Sequence, residues 1–216
     1  MLFRSGHHLA KLLLEKDYEV YGIVNGQTNH RVESFASIYP NVNLLRGDLT
    51  DFSSLLEIVN KVKPDEIYNL GAISYVGLSF NQPELTANVT GLGALRMLEA
   101  VRKSGTQDKI RFYQASSSEM FGKVRTTPQN ELTPFHPRSP YGVAKTFAHY
   151  TCVNYRESYD MHISCGILFN HEGEHRGHEF VTRKITSNIA KIKLGKIKRF
   201  SRSEEHTSEL QSRVDI

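Results

Sequence analysis

"IRFYQASSSEMFG", residues 110–122, begins as a run of branched and aromatic residues and ends in three serines and a glutamate. A short apolar run without polar alternation suits a strand covered on both faces, as parallel sheets are. Polar groups gathered at its end fall at the carboxyl edge, where open α/β sheets bind their ligands. Working outward, "EVYGIV" (19–24), "VNLLRG" (42–47), "EIYNLG" (66–71) and "HISCGILF" (162–169) repeat the pattern. Between them "HLAKLLLEK" (8–16), "FSSLLEIVNKV" (52–62), "ANVTGLGALRMLEAVRKSG" (87–105) and "YGVAKTFAHYTCVNYRESY" (141–159) carry apolar residues at helical spacing. Strand and helix alternate, which predicts an α/β fold with a doubly wound parallel sheet. Gly6 opens the first helix as the last glycine of a phosphate-binding loop would, so the first strand and the earlier glycines are expected to be missing.

The 216 residues are 39% hydrophobic and 23% charged, a soluble globular composition that excludes disorder. No apolar run approaches the ~20 residues of a bilayer span, so no membrane partner is expected. The start lacks a hydrophobic signal segment, which makes the cytoplasm the expected compartment. A net charge of +4 suits an anionic small ligand, and no Arg/Lys run is dense enough to predict nucleic-acid binding. Cys152 and Cys165 are too few for a disulfide scaffold and read as small buried residues. Both ends look foreign to the rest: "RSEEHTSELQS" (202–212) resembles a translated sequencing adapter and "LFRS" (2–5) its opposite partner. The expected organisation is residues 1–5 adapter-like, 6–170 a dinucleotide-binding domain incomplete at its start, 171–200 the beginning of a substrate-binding part, and 201–216 an adapter-like tail.

Tyr141 and Lys145 are spaced i, i+4, so both rise on one helix face just after Pro140. A tyrosine of pKa about 10 is no base near neutrality, but a neighbouring lysine cation favours its phenolate. Such a group can take the proton of a sugar hydroxyl while hydride leaves the same carbon. By spacing alone the pair reads sooner as a surface tyrosine and lysine. Glu119, by itself, reads as a solvated loop carboxylate.

The stretches "YNLGA" (68–72), "RFYQASSSEMFG" (111–122), "PRSPYGVAK" (137–145), "VNYRESY" (153–159) and "GILFNHE" (166–172) resemble the GDP-mannose 4,6-dehydratase family of extended short-chain dehydrogenases. The resemblance covers nearly all of residues 6–195 and implies a Rossmann-type fold, GDP-mannose as substrate and NADP as cofactor. NAD stays open, because Asn25, and not an arginine for the 2′-phosphate, follows "YGIV". It further implies Ser117, Glu119, Tyr141 and Lys145 as catalytic residues. Ser117, in the place of the usual threonine, would hydrogen-bond the C4 oxygen, and Glu119 would take the C5 proton and protonate the departing C6 hydroxyl. Gly6, Asp48, Leu49, Leu70, Gly71, Ala72, Ser74, Tyr141, Lys145, His171 and Arg176 would hold the dinucleotide. Ser74, Glu119, Asn170, Val181 and Lys184 would begin the grip on the nucleotide-sugar. Family members form homodimers or homotetramers, so self-association is expected. Without a first strand the chain is expected to fold poorly alone and to bind NADP weakly.

Other readings keep the same tyrosine and lysine. A nucleotide-sugar 4-epimerase needs no acid after the serines, and a dTDP-glucose dehydratase would carry an Asp-Glu pair where "SSSE" has only glutamate. A non-catalytic dinucleotide sensor has no use for all four catalytic types. "HEGEH" (171–175) satisfies the H-E-x-x-H zinc pattern, but it follows a strand-like run and contains Gly173, so no helix and no metal site are expected. His7, His8, His136 and His149 are scattered in sequence and read as ordinary surface or core residues, and Tyr155 and Tyr159 as packing.

Overall fold

The computed structural model describes residues 5–26, 30–178 and 180–199. Its elements are α1 (Ser5–Leu14), β1 (Tyr21–Val24), α2 (His30–Ile38), β2 (Asn43–Arg46), α3 (Phe52–Val62) and β3 (Glu66–Asn69). There follow α4 (Val76–Asn81), α5 (Pro83–Thr86), a π-helical stretch (Ala87–Leu92), α6 (Gly93–Lys103), β4 (Arg111–Ser117), α7 (Pro140–Tyr159), β5 (Ile163–Leu168) and α8 (Val181–Lys193).

Local chemistry sets these boundaries. Asp51 accepts the Ser53 amide at 3.0 Å and starts α3, whose Leu55 and Val59 are buried. Lys63 ends the helix in the left-handed region, at φ 49°. Ser139 caps α7 by accepting the Gly142 amide at 3.0 Å, with Pro140 in the first helical position. The main core joins Leu55 and Val59 of α3, Met97, Leu98 and Val101 of α6, Phe112 of β4, Cys152 and Tyr155 of α7, and Ile163 of β5. Each large side chain fully buried there contributes about 1.5–3 kcal/mol.

Among the described residues all strand pairs are parallel, as the unalternating apolar runs predict. β1 pairs with β2, while β3, β4 and β5 form a second sheet in that order. The break between β1 and β3 falls where the doubly wound order places its first strand. Leu49, just past β2, ties the two sheets together at their carboxyl edge. A Cβ on Gly71, just past β3, would stand 2.5 Å from Leu49 Cδ1, and one on Gly93 2.9 Å from Leu49 Cβ.

One expectation needs correction. Residues 87–105 do not form one regular helix: the first six widen into a π turn. Arg96 donates to the Asn88 carbonyl at 3.1 Å and to its side-chain oxygen at 2.8 Å, and Thr90 accepts the Ile73 amide at 3.0 Å. These ties to neighbouring segments hold the wider turn, a feature common near functional sites. The segment 171–200, expected to begin a substrate-binding part, contains the helix α8. Of the ends set aside as foreign, residues 1–4 and 201–216 lie outside the described residues, whereas Ser5 begins α1.

Candidate active site

Because the strands run parallel, everything that follows a strand gathers on one edge. Asp48 and Leu49 follow β2, Leu70 to Ser74 follow β3, Ser117 to Glu119 end β4, and Asn170 and His171 follow β5.

At the end of β4, Ser117 remains extended and its Oγ accepts the Glu119 amide at 3.2 Å, which starts a 3₁₀ turn over 118–120. Met120 and Phe121 are buried beneath the turn and anchor it. Gly122 then bends back at φ +49°, where a Cβ would run into the His136 carbonyl. The turn lies on the start of α7: a Cβ on Gly142 would be 2.7 Å from the Glu119 carbonyl oxygen. Tyr141 and Lys145, buried with 8% and 3% exposure, thus stand beside Ser117 and Glu119. Lys145 Nζ donates to the Ala115 carbonyl at 2.7 Å and lies 5.9 Å from the centre of the Tyr141 ring. Burial lowers the Lys145 ammonium to about 8, which still leaves it cationic at neutrality. The four residues named as catalytic are therefore brought together.

The residues named for a dinucleotide line the same edge. Asp48 Oδ1 accepts both the amide and the hydroxyl of Thr50 at 2.7 Å. Thr90 braces the turn from Leu70 to Ser74 through Ile73, a support that no motif announces. Gly6 is buried in the first turn of α1. Ser5 Oγ is 3.2 Å from His171 Nε2, so the loop after β5 meets that helix start. Arg176 pairs with Glu172 at 3.2 Å and stacks on Phe180, 3.5 Å from the ring centre. Phe180 in turn meets Tyr75 edge-on at 6.1 Å, which brings the start of α8, with Val181 and Lys184, near Ser74. These residues fit a dinucleotide: first-turn amides of α1 suit a pyrophosphate, and Asp48 is an acceptor just past the end of β2.

Two of the histidines that are scattered in sequence meet a third in space. His7 stacks on His175 with centroids 3.9 Å apart, and His8 lies 5.6 Å from His175. No regular spacing could signal this, because the loop after β5 supplies one partner and α1 the others. Among the described residues no cluster could hold a metal ion, and residues 171–175 are not helical.

Burial first, then the charges of His175 and His8, push His7 down to about 4 from 6.5. Between those values the folded chain binds fewer protons than the unfolded chain, so stability is present above 6.5 and is lost as pH falls toward 4. The expected loss is on the order of 2 kcal/mol. Thermal unfolding at pH 7.5 and 4.5, for the native chain and His7→Phe, checks it. The native chain should lose about 4–8 °C more than the variant, and equal losses would contradict the assignment.

The family model described as GDP-mannose 4,6 dehydratase matches residues 5–204. The chain belongs to the GDP-mannose 4,6-dehydratase family. It is 53% identical to the GDP-mannose 4,6-dehydratase of Yersinia enterocolitica over 199 residues, covering 89% of this chain and 54% of that protein. The human GDP-mannose 4,6 dehydratase is 51% identical over 206 residues, covering 92% and 55%. The chain thus spans about half the length of these relatives.

Solved structures agree on the Rossmann-type fold of the family. DesIV, a dTDP-glucose 4,6-dehydratase of Streptomyces venezuelae solved with NAD, superposes with a TM-score of 0.75 at 20% identity, covering 86% of this chain and 58% of that one. RMD from Pseudomonas aeruginosa, solved with NADPH, gives 0.67 at 27% identity, covering 82% and 63%. The family's chemistry depends on a dinucleotide. No described helix is long and apolar enough to cross a membrane.

Proposed function

We propose that these residues form the cofactor-binding and catalytic part of a cytoplasmic enzyme, of its relatives' full length, that uses NADP to convert GDP-mannose to GDP-4-dehydro-6-deoxy-mannose. One observation carries the reading: the backbone of the Glu119 turn rests on Gly142, the residue after Tyr141, so the segments that carry the carboxylate and the phenol meet at the end of β4. An epimerase would have no use for that carboxylate.

When bound, the nicotinamide supplies a hydride acceptor and returns the same hydride. Tyr141 removes the proton of the C4 hydroxyl, and Ser117 hydrogen-bonds that oxygen. Lys145, fixed by the Ala115 carbonyl, favours the phenolate by its charge. The new C4 ketone acidifies C5, where Glu119 takes the proton and passes it to the departing C6 hydroxyl. A hydrogen from C5 and the hydroxyl of C6 leave as water; C6 then gains the hydride lost from C4 and C5 takes up a proton, which balances the one that Tyr141 removed from the C4 hydroxyl. Asn170, Val181 and Lys184 lie toward the nucleotide-sugar. Incubation of the enzyme with GDP-mannose and catalytic NADP should give a 4-keto sugar, while dTDP-glucose should not react. A 4-epimer with retained C6 hydroxyl would overturn the reading.

Self-association is part of the same proposal. Leu92, Val143, Phe147 and Tyr150 leave an apolar groove beside α7, with Val143 56%, Phe147 45% and Tyr150 54% exposed. A second copy would cover it. Phe147→Asp should shift the species seen by light scattering toward the monomer, and a native chain that is already monomeric would contradict this.

A further inference from the structure

The proposed reaction needs Ser117 and Glu119, at the end of β4, to keep a set placement toward Tyr141 and Lys145 on α7. One side chain outside all four touches both elements. His149 lies on α7, one turn beyond Lys145 and two beyond Tyr141, on the same helix face. Its Nδ1 is 3.0 Å from the Oγ of Ser116, the residue directly before Ser117, and Ser116 is buried. A second contact leads to the other end of the turn. The His149 and Phe135 rings meet at 88° with centroids 5.2 Å apart, and Phe135 packs on Phe121, again at 5.2 Å. Phe121 is buried directly after the 118–120 turn. The backbone ties the Phe135 segment to the same place, since the His136 amide donates to the Met120 carbonyl at 3.0 Å. His149 therefore reaches the turn from both ends, by a hydrogen bond before Ser117 and through rings after Glu119.

We propose that His149 is a positioning residue for the dehydration, one that sets the direction of the Ser117–Glu119 turn on the helix carrying Tyr141 and Lys145. The inference rests on the reaction proposed above. Lys145 bonds the Ala115 carbonyl at 2.7 Å and so fixes one point of the strand end against α7. The Ser116 bond, one residue on, fixes a second, and two points set a direction. Direction matters here because Glu119 has to reach C5 while Tyr141 reaches the C4 hydroxyl. A misplacement of about 1 Å in such a pair costs up to about 10² in rate. A half-buried ring that only filled space would need no polar atom at the Nδ1 position, and phenylalanine would serve as well.

The test uses the full-length enzyme with NADP bound and GDP-mannose as substrate. His149→Phe keeps a ring against Phe135 and removes the polar atom, while Ser116→Ala removes its partner. Each should lower kcat by about 10- to 100-fold, with KM for GDP-mannose and binding of NADP within about threefold of native. The double variant should be no worse than the poorer single one, because both remove the same bond. His149→Asn puts an amide oxygen or nitrogen where Nδ1 stands, and should keep at least about a third of native kcat. Packing alone predicts the reverse order, with phenylalanine better tolerated than asparagine. Should Ser116→Ala fold poorly, the order of the two His149 variants still decides. Native kcat in His149→Phe, additive losses in the double variant, or a better phenylalanine than asparagine would each overturn the inference while leaving the reaction standing. A native enzyme that leaves GDP-mannose unchanged would overturn the reaction itself, and the inference with it.

Discussion

Tyr141→Phe should lower turnover of GDP-mannose by about 10²- to 10⁴-fold, the range for removing a general base, while leaving thermal stability within about 1 kcal/mol. The side chain is buried at 8% exposure, so the variant keeps the packed ring and loses only the hydroxyl. Binding of NADP should be little changed, and the defect should appear in kcat. Lys145→Met should show a comparable loss. Its pH profile gives a further check: Lys145 is cationic below about 8, so its support for the phenolate fades as pH rises through that value. Activity should therefore fall on the alkaline side, where an unassisted tyrosine would become a better base. Retention of more than a tenth of native turnover by Tyr141→Phe would remove the phenol from the mechanism.

The second large effect is expected at Glu119. Glu119→Gln keeps the size of the side chain and the backbone that rests on Gly142, but loses the base. Hydride should still leave C4, so reduced nicotinamide should build up and be seen at its own absorbance band. Loss of water should then stall, by about 10²- to 10³-fold in product formation. The split between the two half-reactions separates this residue from Tyr141, whose loss prevents both. Product formed at the native rate would show that another group removes the C5 proton.

Much of this site follows from strand ends. Five apolar runs without alternation name five parallel strands, and the site residues named after four of them fall on one edge whatever the details of packing. Pro140 and the Tyr141–Lys145 spacing likewise fix a helix start and a shared face, which the structure places against the Ser117–Glu119 turn. What sequence could not give are contacts between segments far apart in the chain. The π turn at Ala87–Leu92 depends on Arg96 and on the Ile73 amide meeting Thr90, and no local propensity encodes that meeting. The stack of His7 on His175 joins α1 to the loop after β5, 168 positions later, so a reading by spacing sees only isolated histidines. α8 was obscured for another reason: its amphipathic face is nowhere fully buried among the described residues.

The central claim is that the carboxylate and the phenol act on neighbouring carbons of one sugar, with a single hydride carried between them. GDP-mannose bearing deuterium at C4, turned over by the enzyme in ordinary water, tests this directly by mass spectrometry and NMR of the product. The account predicts deuterium at C6 and a solvent proton-exchangeable position at C5. Deuterium retained at C4, or lost from the sugar altogether, would contradict it.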